Sequence, residues 1–184
     1  MYIGALSMRY AKALLAFAND VGVAATVYQE ALTLQRSYRR VPELQRAMEN
    51  PVMTVPDKLK VLLQASGSNP TEQLDKFFRL VLKEKRERYL LYIIRSFIDL
   101  YRKQEKIRVG RLTTAVPMAE EEIDRIRKIV VDHAGGTAEF VTKVDSSIEG
   151  GFIFEINTYR LDASVANQMQ RVKRQFIEKN RRIV

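Results

Sequence analysis

The sequence predicts an α+β fold, with an N-terminal helical bundle domain over residues 1–105 and a small α/β C-terminal domain over residues 106–184. Glycine and proline are scarce, at 8 and 5 residues, while good helix formers recur throughout. Apolar residues repeat every three or four positions in the first part of the chain. Beyond Glu105 they alternate instead, as they do in β-strands. The second domain is therefore expected to hold a short sheet and two helices.

Three helices are predicted up to the turn at Asn50-Pro51. The first ends near Gly22, since glycine commonly follows a helix. The second ends at Pro42, because proline lacks a backbone N–H and restricts the residue before it. A short helix over 43–48 follows. The first two apolar stripes are Ile3, Leu6, Tyr10, Ala13, Leu14, Phe17 and Val21, then Val27, Ala31, Leu34, Tyr38 and Val41.

Three further helices complete the first domain. One opens at Pro56, with Thr54 placed to cap it. The next is expected to start at a capping box over residues 69–72, in which Asn69 is the cap. The last has the most regular spacing in the chain. The three apolar faces are Leu59, Leu62 and Leu63, then Phe77, Phe78, Val81 and Leu82, then Leu90, Ile94, Phe97 and Tyr101.

The second domain is predicted to contain strands over 107–116, 138–144, 152–156 and 159–161, with a bulge at Gly110-Arg111 in the first. A helix starts at three glutamates, residues 120–122, where the helix dipole favours negative charge, and ends before the glycines at 135 and 136. Asp162 or Ser164 caps a final helix. We expect its apolar seam to pack on the sheet; the seam consists of Val165, Met169, Val172 and Phe176.

Residues that carry most enzyme chemistry are rare. Cysteine is absent, and His133 is the only histidine, so thiolate catalysis and multi-histidine metal sites are excluded. Glycine-rich phosphate loops and the common hydrolase motifs are also absent. The three glutamates at 120–122 splay apart at helical spacing and suit a helix start better than a metal site. The sequence thus predicts a protein that is not an enzyme and has no cofactor, metal or small-molecule substrate.

The net charge is +9, from 31 basic and 22 acidic residues. Basic side chains cluster at the end of the chain: Arg171, Lys173, Arg174, Lys179, Arg181 and Arg182. This cluster is either a solvated helix face or a docking surface for an acidic partner. A nucleic-acid-binding protein and another kind of helical adaptor are the alternative functions. The charge is spread over both domains without interleaved aromatic residues, which argues against nucleic acid.

Several short motifs, in order, resemble the ATP synthase delta subunit family, which includes the oligomycin-sensitivity-conferring protein. The N-terminal motif is Arg9-Tyr10-Ala11-Lys12-Ala13-Leu14, and Asn50-Pro51 falls at the family's turn. The most specific part is Ile148-Glu149-Gly150-Gly151-Phe152-Ile153 followed by Leu161-Asp162-Ala163-Ser164-Val165. Ala163 stands where the family has glycine, and Glu149 where it has a small residue.

This resemblance implies a six-helix N-terminal domain and a non-catalytic linker between the catalytic head and the peripheral stalk. The N-terminal domain would grip amphipathic helices of the alpha subunits between its first and fifth helices, through Tyr10, Ala13, Leu14 and Leu80. The C-terminal domain would hold the stalk b subunits. We assign that contact to Arg171, Arg174, Lys179, Arg181 and Arg182. The implied location is the cytoplasmic face of the bacterial plasma membrane, as a peripheral membrane protein.

Overall fold

The structure, a computed structural model, describes residues 3–67, 69–134, 137–156 and 159–181. The chain divides into two compact units, Met1–Gln104 and Glu105–Val184. The predicted α+β class is confirmed, since helices make up the first unit and a four-stranded sheet with two α-helices lies in the second, over the described residues. Independent folding of residues 1–105 stays a prediction.

The helices of the first unit are α1 (Ile3–Asp20), α2 (Ala24–Arg40), α3 (Glu43–Glu49), α4 (Val55–Ser66), α5 (Glu72–Lys83) and α6 (Leu90–Gln104). A 3-10 turn, Glu87–Tyr89, leads into α6. Helix α6 packs against both α1 and α2. Small residues allow the close approach, because Ala11, Ala18 and Ala31 are fully buried.

Aromatic side chains fill the space between α2 and α6. The rings of Tyr28 and Tyr101 stack with their centroids 4.4 Å apart, and Phe97 stacks on Tyr101 at 6.4 Å. The Arg102 Nε donates a hydrogen bond of 2.8 Å to the Tyr28 hydroxyl. Tyr28 is therefore buried without leaving its hydroxyl unpaired, as a buried phenol requires.

Side-chain caps fix the starts of α4 and α5. The predicted Thr54 cap is confirmed: its hydroxyl accepts a hydrogen bond from the Asp57 N–H. The prediction of Asn69 as the α5 cap is wrong, because Thr71 caps that helix by accepting from the Leu74 N–H. Thr71 is also held by Glu30 of α2, whose carboxylate accepts from its N–H at 2.7 Å and its hydroxyl at 2.8 Å. This contact between distant residues has no local sequence signal.

The second unit contains β1 (Ile107–Thr114), α7 (Glu120–Ala134), β2 (Thr137–Val144), β3 (Phe152–Ile156), β4 (Tyr159–Asp162) and α8 (Val165–Arg181). The strand order is β2-β1-β3-β4. Strand β1 pairs in parallel with β2, across the α7 connection, and antiparallel with β3. Helix α7 covers one face of the sheet through Ile123 and Ile126, which pack with Leu112 and Phe154.

The predicted bulge at Gly110-Arg111 is wrong. Strand β1 pairs with β2 without interruption from Ile107 to Thr114. Gly110 leaves room for two aromatic rings. A Cβ at this position would lie 2.7 Å from a ring carbon of Phe154 and 3.3 Å from one of Phe140. These two rings meet edge to face, with centroids 5.3 Å apart, over the backbone of Gly110. A glycine in a strand thus marks close packing here and not a bulge.

Candidate partner-binding surfaces

The first candidate site, the α1–α5 surface, consists of Tyr10, Ala13 and Leu80. Tyr10 is half-buried, and its ring meets that of Phe77 edge to face with centroids 6.5 Å apart. Leu80 lies one turn beyond Phe77 on α5 and is 46% exposed. Ala13 lies one turn beyond Tyr10 on α1 and is also exposed. The structure therefore places two exposed apolar positions, one on each helix, one turn away from the Tyr10–Phe77 contact.

Leu14, the fourth predicted contact, has a different environment. It is 1% exposed and belongs to the core, together with Ala11 and Ala18 on the same helix. We therefore leave Leu14 out of the α1–α5 surface. Four alanines of α1 fall into two groups by exposure. Ala11 and Ala18 are buried and let the helix backbone approach its neighbours, whereas Ala13 and Ala16 face solvent.

Charged side chains border the α1–α5 surface. Arg9, one turn before Ala13, is exposed. Lys76, one turn before Leu80, forms an ion pair of 2.7 Å with Glu72, and both side chains are well exposed. An exposed pair of this kind is worth only about 0.2–1 kcal/mol, so a partner can replace it at little cost. The surface combines an apolar centre with adaptable charges at its rim.

The second candidate site lies on α8, whose start is fixed by the preceding turn. Gly150 and Gly151 have φ values of 159° and 72°, and a Cβ on Gly151 would lie 2.2 Å from the Ala163 carbonyl oxygen. The Val165 N–H donates to the Gly150 carbonyl at 3.0 Å. The Gly-Gly pair is therefore required for the chain to return against this turn and start α8.

Both predicted caps of α8 take part in its start. The Ser164 hydroxyl accepts from the Asn167 N–H at 3.2 Å, which makes Ser164 the cap. Asp162 in turn accepts hydrogen bonds from the Ser164 hydroxyl at 2.6 Å and the Ser164 N–H at 3.2 Å. These bonds to the carboxylate hold the pKa of Asp162 below its ordinary value.

The prediction that the α8 seam packs on the sheet is wrong for its described side chains. Val165, Met169 and Val172 are all exposed, Met169 by 62%. Ile177 is exposed as well. The side chain of Phe176 lies outside the described part of the chain. Helix α8 contacts the 3-10 turn Ser146–Ile148 near its start. Its apolar seam is thus open to a partner, although the spacing alone suggested a core face.

The basic residues predicted for stalk binding are only partly described. Arg171 and Arg174 are exposed on α8, as is Lys173 between them. Lys179 and Arg181 lie near the end of α8, and their side chains are outside the described part of the chain. Arg182 lies wholly outside the described residues. The described part of α8 therefore carries an apolar seam and a group of exposed basic residues.

The three glutamates at residues 120–122 lie in the first turn of α7. Over the described residues, no group of three histidine, aspartate or glutamate side chains could hold a metal ion. The Glu122 carboxylate instead accepts from the Ala119 N–H at 3.2 Å, at the start of α7. No helix in the described ranges is long and apolar enough to cross a membrane.

Sequence reasoning missed a buried ion pair in the first unit. Lys58 of α4 is 5% exposed, and its Nζ donates to the Glu87 Oε1 at 2.9 Å and to the Met48 carbonyl at 2.9 Å. This contact joins α3, α4 and the 3-10 turn before α6. Lysine in the first turn of a helix ordinarily faces solvent, so the sequence carries no signal for it.

A family model described as ATP synthase delta (OSCP) subunit matches residues 6–176. The ATP synthase subunit delta of Phocaeicola vulgatus is 58% identical over 185 residues, which cover 100% of both chains. That of Bacteroides thetaiotaomicron is 48% identical over 186 residues, again with 100% of each chain covered.

The fold also matches a solved structure. A chain in the structure of the Toxoplasma gondii mitochondrial ATP synthase hexamer superposes with a TM-score of 0.62. The match covers 94% of this chain and 97% of that chain, at 23% identity. This is a likeness of fold that extends over both units.

Proposed function

Since this chain belongs to the ATP synthase delta (OSCP) subunit family, we propose that it joins the catalytic head of a rotary, proton-translocating ATP synthase to the stalk b subunits. The chain is a structural, non-catalytic subunit of the ATP synthase peripheral stalk. Its task is mechanical. The head must not turn with the rotor, so the joint has to resist torque and needs no chemistry of its own.

The α1–α5 surface is the observation that carries the proposal. Helices α1 to α6 form one six-helix bundle domain over residues 1–105, and the N-terminal helix of an alpha subunit lies between α1 and α5. Its apolar side chains cover Ala13 and Leu80 and contact the half-buried ring of Tyr10. Binding of an amphipathic helix in such a groove gains most of its affinity from apolar anchors.

The second contact is made by α8 with the stalk b subunits. Val165, Met169 and Val172 supply the apolar seam, and the basic side chains of α8 orient an acidic partner helix. Exposed ion pairs contribute about 0.2–1 kcal/mol each. The basic residues, Arg171, Arg174, Lys179, Arg181 and Arg182, therefore set association rate and orientation more than affinity.

With one unit bound to the head and the other to the stalk, the chain is held at the membrane only through the complex. This places it at the cytoplasmic face of the bacterial plasma membrane, as a peripheral membrane protein. The absence of a membrane-crossing helix over the described residues is compatible with that location.

Paired titrations test the proposal. The full chain is titrated with a peptide of the alpha-subunit N-terminus and with a fragment of the stalk b subunit. Ala13→Glu should raise the Kd for the alpha peptide about a hundredfold, because its carboxylate would lose its water against the apolar side of the peptide, at about 3 kcal/mol. Ala25→Glu, at an exposed position on α2, is the matched control and should leave Kd unchanged.

The stalk contact has its own variant. Deletion of residues 179–184 should weaken binding of the b fragment, reduce its dependence on salt and leave the alpha peptide unaffected. Ala13→Glu should in turn spare the b fragment. Unchanged binding of the alpha peptide to a folded Ala13→Glu chain would refute the α1–α5 assignment, and equal loss of both ligands in the deletion would mean that the chain unfolds.

A further inference from the structure

Helix α5 also borders a second groove, which it forms with α4. This α4–α5 groove is lined by Val55, Pro56, Leu59, Lys60 and Leu63 of α4 and by Arg79, Leu82 and Lys83 of α5. Arg79 and Leu80 are adjacent in sequence, so about 100° of helix rotation separates them. Arg79 faces α4, while Leu80 flanks the Tyr10–Phe77 contact. The two grooves are therefore distinct.

The α4–α5 groove has an apolar floor that reaches the surface. Val55, Leu59 and Leu63 follow one another at four-residue intervals, which aligns them along one side of α4. Leu59 and Leu82 are 7% and 2% exposed and close the bottom. Val55 is 53% exposed and Leu63 is half-buried, so the stripe opens to solvent at its end and side.

Cations surround this floor. Lys60 and Lys83 are exposed and form no ion pair with any residue that the structure describes. Arg79 is paired with Asp75 at 2.8 Å, in an exposed pair within α5. The nearest acid of α4, Asp57, is engaged by the Thr54 hydroxyl at 2.5 Å. The groove thus presents two unpaired ammonium groups beside an apolar stripe.

We infer that the α4–α5 groove binds a second amphipathic helix, whose apolar side faces Val55 and Leu63 and whose carboxylates pair with Lys60 and Lys83. The inference rests on the proposed function, because the acidic helix is supplied by another subunit of the assembled ATP synthase. A stripe along nine residues of α4 spans about 13 Å, which suits two to three turns of a partner helix. Helix α5 is then held between two partner helices, a firmer attachment than one groove provides.

Site-specific cross-linking in the assembled ATP synthase tests this inference. A photoreactive amino acid replaces Val55 in the full chain, and cross-linked peptides are identified by mass spectrometry. The same substitution at Ala13 reports on the α1–α5 surface, and one at Val52, which is 85% exposed and does not line the groove, is the background control. The product at Val55 should map to a segment with an apolar stripe at three- and four-residue spacing flanked by carboxylates.

Charge reversal then tests the cationic rim. The double variant Lys60→Glu with Lys83→Glu would lose two surface ion pairs and gain two repulsions, which together weaken binding about tenfold. The yield of the Val55 cross-link should therefore fall about tenfold. Lys83 lies in the last turn of α5, so the matched control is Arg95→Glu with Lys103→Glu, one mid-helix and one last-turn position on α6. That control should retain the cross-link.

The outcomes separate the two proposals. A cross-link at Ala13 with none at Val55 above the Val52 background overturns the second groove and leaves the proposed function intact. A Val55 cross-link to a segment without carboxylates, or one that survives the Lys60 and Lys83 reversal, overturns the acidic partner. Failure at both Ala13 and Val55 in an assembled complex refutes the proposed function as well.

Discussion

Replacing Glu87 by glutamine should destabilise this chain more than its place in a short 3-10 turn suggests. Its carboxylate is the only anionic partner of the buried Lys58 ammonium among the described residues, at 2.9 Å. The two side chains are unequally buried, at 6% exposure for Lys58 and 18% for Glu87. The Glu87 side chain is therefore the closer of the two to solvent, although its Oε2 is buried without a hydrogen-bond partner.

The size of the effect follows from that asymmetry. Breaking a fully buried pair costs about 3–5 kcal/mol. Glu87→Gln leaves the ammonium with the Met48 carbonyl and a neutral amide, so we expect a loss of about 2–3 kcal/mol. Lys58→Met leaves a glutamate that can rehydrate, at about 1–2 kcal/mol. The double variant should cost about as much as Lys58→Met alone, which gives a coupling energy near 2 kcal/mol.

Urea unfolding followed by helical circular dichroism measures all three variants. The control is Lys76→Met, which removes an exposed pair of similar length, 2.7 Å, and should change the free energy of unfolding by less than about 0.5 kcal/mol. The reasoning fails if Glu87→Gln costs no more than this control. It also fails if the two single losses simply add in the double variant.

Three other expectations follow from the structure. Gly110→Ala should cost about 1–3 kcal/mol in urea unfolding, because its Cβ would lie 2.7 Å from a ring carbon, whereas Gly4→Ala, with nothing within 4 Å, should be neutral or stabilising. The Ser147 hydroxyl and Lys143 lower the pKa of Asp145 from 3.8 to about 2, so its stabilisation holds above about pH 4 and is lost as the pH falls through the folded-state pKa. Asp145→Asn should therefore flatten the acid dependence of the thermal midpoint between about pH 5 and pH 2. Residues 1–105 alone should unfold cooperatively with high helicity, and a molten fragment would contradict the proposed domain.

Local sequence patterns predict the helices and strands of this chain better than they predict the contacts between them. The spacing of apolar residues predicts each helix of the first unit, because every one of them buries a single face. The cap of α5 could not be predicted, since Glu30 selects Thr71 from 41 residues away. The order of the strands in the sheet could not be predicted either. Alternating apolar residues identify a strand but do not show which strands pair with it. Gly110 looked like a bulge because the rings that cover it come from two other strands.

The candidate binding surfaces could be predicted only in part, because the spacing of apolar residues does not show what those residues contact. A repeating apolar stripe reads identically whether it faces a core or a missing partner, and this is why the α8 seam was assigned to the sheet. Leu14 and Ala13 are adjacent in one motif, yet only Ala13 reaches solvent. The α4–α5 groove gave no signal at all, since Leu59 and Leu63 fit an ordinary amphipathic helix.

The chain combines exposed apolar side chains with a net charge of +9, and this combination bears on which partners its surfaces can accept. Met169 and Val172 lie on α8 beside Arg171 and Lys173, so two copies of this face would bring like charges together. An acidic helix meets no such repulsion. In the first unit, two copies of the α4–α5 groove would likewise bring their Lys60 side chains together beside Val55. If the two proposed surfaces bind as inferred, we expect their basic rims to disfavour pairing of two copies of the chain and to favour acidic helices as partners.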